Sequence, residues 1–76
     1  MTPSQPTDTP ALLGARIRLA RKAQGLTQTE LAEIAGTGQR FISELERGKA
    51  SAQLGLALHV LQLLGLELFI HARGTQ

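Results

Sequence analysis

The sequence predicts a mainly α fold, a compact bundle of four helices followed by one C-terminal strand. In four segments separated by glycine, apolar residues recur with a helical period. After the fourth segment the pattern changes to alternation over residues 66–71, which is typical of a strand. The chain has 76 residues and no cysteine, so it makes one small domain without disulfides. We therefore expect a second copy of the chain to supply part of its stability.

Composition and charge narrow the classes of function. Eight basic and six acidic residues give a net charge of +2, which is compatible with nucleic-acid binding. The chain contains neither a glycine-rich phosphate loop nor a carboxylate pair with an evident base, so an enzyme is not expected. We expect no metal, cofactor or small-molecule ligand. Without a long apolar run or a signal-peptide pattern, the predicted location is cytoplasmic and no membrane contact is expected.

The first helix is expected at about residues 10–24, between a proline-rich tail and a glycine. Residues 1–9 are predicted to be disordered, because they offer almost no apolar surface to bury. Thr9 can cap the helix, Pro10 suits its first position and Gly25 ends it. The domain is then expected to span residues 10–72, and residues 73–76 are predicted to form a second disordered tail.

Two short helices follow. Thr27 and Glu30 have the spacing of a capping box, which starts a helix that ends before Gly36. The third helix is predicted from about residue 39 to residue 47, where the next residue is again glycine. Together they cover a segment with the spacing of a helix-turn-helix, in which the second helix enters the major groove of DNA. Its apolar positions are occupied by Leu31, Ala35, Ile42 and Leu45, and its close-contact position by Ala32.

The same segment resembles the Xre-type (lambda-repressor-like) helix-turn-helix family. The resemblance rests on the runs LTQTELAEIAG at 26–36 and ISELERGK at 42–49, and it covers about residues 12–64. Within that family, the runs RFISELERGK at 40–49 and LQLLGLELFI at 61–70 are similar to HipB-type antitoxins. The resemblance implies a dimeric, sequence-specific repressor of its own operon that neutralises a HipA-like Ser/Thr kinase toxin. A stand-alone repressor without a toxin, and a protein-interaction module without DNA binding, are the alternatives.

The third helix carries the residues expected to contact bases. Gln39 matches a base-contacting position of the family that the segment resembles. Because glutamine pairs with adenine and arginine with guanine, Gln39 and Arg40 are the first candidates. Phe41 either touches a thymine methyl or packs on a neighbouring helix. Glu44 either accepts from cytosine or pairs with Arg40 or Arg47. The predicted base contacts are Gln39, Arg40, Phe41, Ser43 and Glu44.

Phosphate contacts are expected around this helix. Exposed amides at a helix N-terminus attract anions, and the family resemblance adds the loop after the third helix. The predicted phosphate contacts are Gln28, Lys49, Ser51, Arg18 and Lys22. Arg21 and Glu46 match a pair that bridges the first and third helices in the family, so the resemblance implies a structural ion pair there.

The end of the chain predicts a dimer. The fourth helix, at 54–64, is apolar on two stripes, and an isolated strand leaves its edges unpaired. We expect one stripe to close the core, formed by Leu54, Leu58, Leu61 and Leu64. The other stripe and the strand would meet their copies across a two-fold axis, which predicts a palindromic operator. The predicted dimer interface comprises Leu56, Val60, Leu63, Leu66, Leu68, Phe69 and Ile70.

Overall fold

The computed structural model describes residues 7–72 and contains four helices in this range. They are α1 (Pro10–Ala23), α2 (Gln28–Ala35), α3 (Gln39–Glu46) and α4 (Leu54–Leu63). Each helix lies within about a residue of its predicted position, so the mainly α prediction is confirmed. The predicted disordered tails fall largely on residues 1–6 and 73–76, which lie outside the described residues.

α1 and α2 begin at the capping residues from which the sequence predicted them. The Thr9 hydroxyl accepts a hydrogen bond from the Leu12 amide at 3.1 Å, and Pro10 occupies the first turn of α1. At α2, the Thr27 hydroxyl accepts from the Glu30 amide at 3.0 Å. The Glu30 carboxylate accepts in return from the Thr27 amide at 2.8 Å, which completes the capping box. Because α2 has only eight residues, these bonds matter for its stability.

One hydrophobic core joins all four helices. Each helix contributes one large side chain that is fully or almost fully buried, namely Ile17, Leu31, Ile42 and Val60. The four apolar positions predicted for the helix-turn-helix are all buried, and so is the close-contact residue Ala32. α3 packs against both α1 and α2, and α4 packs against α2. α3, the helix that carries the predicted base contacts, is therefore supported by two other helices.

A glycine inside α1 allows α1 and α3 to approach closely. A Cβ atom at Gly14 would lie 2.6 Å from the carbonyl oxygen of Glu46, and closer still to that of Leu45. Just past α3, Gly48 has φ +86°, and a Cβ there would lie 2.7 Å from the Cα of Ala11. The C-terminal end of α3 is thus fixed against the start of α1 by two positions that exclude any side chain.

The predicted division of α4 into two stripes was wrong at Leu54, Leu58 and Val60. The residues that face the core are Ala57, Val60, Leu61 and Leu64, whereas Leu54 is 69% exposed and Leu58 is 37% exposed. α4 is apolar on nearly every side, so its pattern does not select a face. Packing against α2 orients the helix instead, and the face that carries Ala57 is buried. Val60 is fully buried in its own protomer, so it cannot belong to a dimer interface.

The segment after α4 has no strand in the part of the chain that the structure describes. The Leu66 amide donates to the Leu61 carbonyl at 2.9 Å, and the Leu66 side chain packs against the core. The next apolar side chains leave the core: Leu68 is 49%, Phe69 70% and Ile70 90% exposed. A strand needs a hydrogen-bonded neighbour, and the ordered elements of this protomer are helices. The predicted strand is therefore not present in the single chain.

Among residues 7–72, none of the helices is both long enough and apolar enough to cross a membrane.

Candidate nucleic-acid interface

A buried ion pair joins α1 to the end of α3. Arg21 donates from Nε to Glu46 Oε2 at 2.6 Å and from Nη2 to Glu46 Oε1 at 3.0 Å. A third bond runs from Arg21 Nη1 to the Leu26 carbonyl at 2.7 Å. The side chains are only 8% and 2% exposed, and the hydrogen bond to Glu46 raises the pKa of Arg21. This two-pronged contact, which the family resemblance implied, fixes the orientation of α3 relative to α1.

Two glutamines extend this ion pair to the surface. Gln28, the first residue of α2, donates from Nε2 to Glu46 Oε1 at 3.1 Å. Gln39, the first residue of α3, donates from Nε2 to Gln28 Oε1 at 2.6 Å. The exposed Gln39 amide is therefore connected, through Gln28 and Glu46, to a buried arginine. We define these four side chains, Arg21, Glu46, Gln28 and Gln39, as the anchoring network.

The sequence predicted the Arg21–Glu46 pair of the anchoring network but not the two glutamines that extend it. Gln28 was predicted only as a phosphate contact, and the structure gives it a bridging role between two helices. The available signal was that both glutamines begin a helix of the same motif, since the N-termini of its two helices lie close together. Which atoms bond to which depends on the crossing of α2 and α3, and no local pattern specifies that crossing.

The outer face of α3 exposes two of the five predicted base contacts. Ile42, Leu45 and Glu46 point into the protein, while Gln39 and Arg40 are exposed at the first turn. The Arg40 side chain is 87% exposed. Ser43 is half-buried, and the partly buried Phe41 packs against the core, as one of its two predicted roles required. Gln39 and Arg40 are therefore the α3 side chains most accessible to a base edge.

Glu44 lies on the same face and forms ion pairs with two basic side chains. Its Oε2 accepts from Arg40 Nε at 3.2 Å, and its Oε1 accepts from Lys49 Nζ at 3.0 Å. Hydrogen bonds from Lys49 first, and from Arg40 second, lower the pKa of Glu44. The sequence predicted Arg40 or Arg47 as partners. The structure selects Arg40 and adds Lys49, which the chain reaches by turning at Gly48.

The remaining predicted phosphate contacts are spread over two elements. Lys49 and Ser51 are exposed in the loop between α3 and α4, just after the C-terminal end of α3. Arg18 and Lys22 are exposed on α1, one turn apart. The structure thus groups Lys49 with Arg40 and Glu44, and Gln28 with Gln39. Arg18, Lys22 and Ser51 belong to neither group.

Comparison with known proteins places this architecture in a family. A helix-turn-helix family model, HTH_3, matches residues 17–70. An HTH-type transcriptional regulator of Sinorhizobium fredii, y4mF, is 54% identical over 68 residues, which cover 90% of each chain. A second such regulator, from Methanothermobacter thermautotrophicus, is 47% identical over 51 residues, or 67% of this chain and 74% of the relative.

Solved structures of HipB share the fold. HipB in its complex with the O4 20mer superposes with a TM-score of 0.81 at 30% identity, covering 92% of this chain and 99% of HipB. The HipA-HipB-O2-O3 complex contains a chain with a TM-score of 0.82, at the same identity and coverage. The family model, the similar regulators and the shared fold agree. The chain belongs to the helix-turn-helix family of transcriptional regulators.

Proposed function

We propose that the protein is a DNA-binding repressor that reads operator DNA with α3. The observation that carries this proposal is the anchoring network, which connects the exposed Gln39 amide, through Gln28, to a buried ion pair. A side chain ordered before binding loses less conformational freedom when it meets a base. Gln39 would pair with adenine and Arg40 with guanine, while Lys49 and Ser51 would contact phosphates beside them. Arg18, Lys22 and the N-terminus of α2 at Gln28 would extend the phosphate contacts.

We further propose that the repressor is a homodimer. Leu68, Phe69 and Ile70 expose 49–90% of their surface, and Leu63 is 38% exposed on α4. Pairing residues 66–71 with their copy would bury these side chains and give the segment its missing strand neighbour. The proposed interface comprises Leu56, Leu63, Leu66, Leu68, Phe69 and Ile70, with Val60 removed because it is buried. Two copies of α3 related by a two-fold axis would read a palindrome.

The finer role we propose is that of a HipB-like antitoxin that represses its own operon. The similarity to HipB in the HipA-HipB-O2-O3 complex supports a HipA-like kinase toxin as the second partner. A stand-alone repressor with the same DNA site is the other candidate. Co-purification separates the two: we expect a kinase encoded beside this chain to elute with it as one complex. If the neighbouring reading frames encode no kinase that binds the chain, the stand-alone repressor is correct.

Titration with DNA tests the repressor proposal. We expect the protein to bind DNA from its own promoter about a thousandfold more tightly than unrelated DNA at the same salt concentration. Fluorescence anisotropy at several salt concentrations measures this ratio and separates the phosphate contribution from base recognition. Equal affinity for both DNAs would contradict sequence-specific repression, and no binding to either would favour a protein-interaction module.

Arg40→Ala is expected to relax specificity at one base pair of each half-site. The loss of a bidentate contact to guanine should weaken operator binding by about 1–3 kcal/mol. Titration of operators carrying each base pair at each position identifies where discrimination is lost. Arg18→Ala is the control, because the loss of a phosphate contact weakens binding to every sequence alike. A uniform loss in Arg40→Ala would show that Arg40 contacts phosphate instead.

Removal of residues 66–76 tests the dimer. We expect the shortened protein to be a monomer by multi-angle light scattering, because the proposed strand pair and its apolar side chains are gone. Glu67→Gln in the full chain is the control, since it alters the same segment without removing apolar surface. A dimer that survives the truncation would exclude strand pairing as the basis of assembly.

A further inference from the structure

The Glu44 carboxylate stands on the proposed DNA-reading face. A carboxylate there is expected to repel phosphates and to weaken binding to every sequence. It is nevertheless well ordered by its neighbours, because its side chain is 21% exposed and each oxygen accepts from a different cation. Arg40 reaches it from one helical turn before, and Lys49 from the loop behind α3. One carboxylate thus holds together two of the proposed DNA contacts.

We propose that Glu44 is a positioning residue that sets DNA specificity, by orienting Arg40 toward a guanine and restraining Lys49 from the phosphates. This inference rests on the proposed function and assigns a role to a residue that need not touch DNA. Such a role for Glu44 has opposite effects on general DNA affinity and on sequence discrimination. The protein gives up affinity for DNA in general and gains discrimination at the base pair that Arg40 reads.

The geometry of the Arg40 bond supports the orienting role. Arg40 is 87% exposed, so without a partner its long side chain would sample many rotamers. Glu44 binds only Nε of the guanidinium, at 3.2 Å. Both Nη amino groups therefore remain available, and together they can donate to the O6 and N7 atoms of guanine. The carboxylate restricts the side chain without occupying the donors that a guanine needs.

The Lys49 bond supports the restraining role. Lys49 is 48% exposed and donates to Glu44 at 3.0 Å, so its ammonium group is shared with a carboxylate before DNA arrives. Each cation that neutralises a phosphate releases counterions and strengthens binding to any sequence. A lysine held by Glu44 contributes less of this general affinity than an unrestrained one. Loss of the carboxylate would release Lys49 and remove the nearest repulsive charge at the same time.

Glu44→Gln tests the inference, because glutamine keeps the shape and removes the charge. The matched control is Glu33→Gln, which removes the same charge from an exposed position on α2 outside the Arg40–Lys49 contacts. Wild type and both variants are titrated with the operator, with operators changed at the base pair assigned by Arg40→Ala, and with unrelated DNA. Thermal denaturation of each variant shows that folding is preserved.

For Glu44→Gln we expect discrimination at the Arg40 base pair to fall about fivefold, a part of what a bidentate contact supplies. Affinity for unrelated DNA should rise, with a salt dependence steeper by about one phosphate contact. Glu33→Gln should change neither the discrimination nor this slope.

Three results would overturn the inference. Equal behaviour of the two variants would mean that Glu44 acts only through net charge. If Glu44→Gln instead loses a preference for cytosine at a different base pair, Glu44 contacts a base directly. If wild type itself shows no sequence preference, the proposed function is wrong and the inference fails with it. That outcome is recognisable before any variant is compared.

Discussion

Glu46→Ala is expected to destabilise the protein by about 3–5 kcal/mol, because it leaves a buried guanidinium without its carboxylate. Arg21 is 8% exposed and makes two of its three bonds to Glu46. The change also removes the acceptor of Gln28, which lies between the ion pair and Gln39. Urea denaturation followed by circular dichroism measures the loss, which would be a large share of the stability of a 76-residue domain.

Two further variants separate the buried charge from other effects. Glu33→Ala removes an exposed carboxylate and should change stability by less than about 0.5 kcal/mol. Arg21→Met combined with Glu46→Leu removes both charges, and it should recover part of the loss because no unpaired ion remains. A cost below about 1 kcal/mol for Glu46→Ala would contradict the assignment of this pair as the support of α3.

Gly14→Ala is the second large effect that we expect, a destabilisation of about 1–3 kcal/mol. Alanine favours a helix interior over glycine by about 1 kcal/mol, so propensity alone predicts the opposite sign. The added Cβ would meet the carbonyl oxygens of Leu45 and Glu46, and these backbone atoms cannot rotate away. α1 must therefore shift from α3, and the shift would also stretch the Arg21–Glu46 bonds.

Gly55→Ala is the matched control for this overpacking. Gly55 is also helical, in α4, but a Cβ atom there would meet no atom within 4 Å. Propensity should then decide, and we expect stabilisation by about 0.5–1 kcal/mol. Thermal denaturation of the two variants should give midpoint shifts of opposite sign. If Gly14→Ala also stabilises the protein, α1 and α3 are not in close contact.

The helices were predictable because their ends are encoded locally. Thr9, Thr27 and the glycines at 25, 36, 48 and 65 mark boundaries by short-range hydrogen bonds and positive φ values. The orientation of α4 was not encoded in this way. The helix has apolar residues on nearly all sides, so its local pattern is compatible with more than one orientation. Packing with the rest of the bundle determines that Val60 is the residue buried in the core.

The candidate site was predicted as a set of residues but not as an arrangement. The family resemblance, side-chain chemistry and helical spacing together identified Gln39, Arg40 and Glu44 as candidate base contacts. The bond from Gln28 to Glu46 joins residues 18 positions apart, so the tertiary fold determines it. The bond from Lys49 to Glu44 depends on the turn at Gly48, which brings the lysine back to the end of α3. Gly14 was missed for the same reason, since a helical glycine reveals its purpose only when α3 lies against it. The proposed C-terminal strand would need a second chain to pair with, so a single chain does not form it.

The spacing between half-sites tests the central claim most directly, namely that a two-fold dimer presents two copies of α3 to one face of DNA. A palindromic operator is selected from random duplexes, and its affinity is compared with that of the same operator with five base pairs inserted at its centre. Half a helical turn moves one half-site to the opposite face, so we predict that binding falls to the level of a single half-site. Unchanged affinity after the insertion would contradict the paired arrangement of α3.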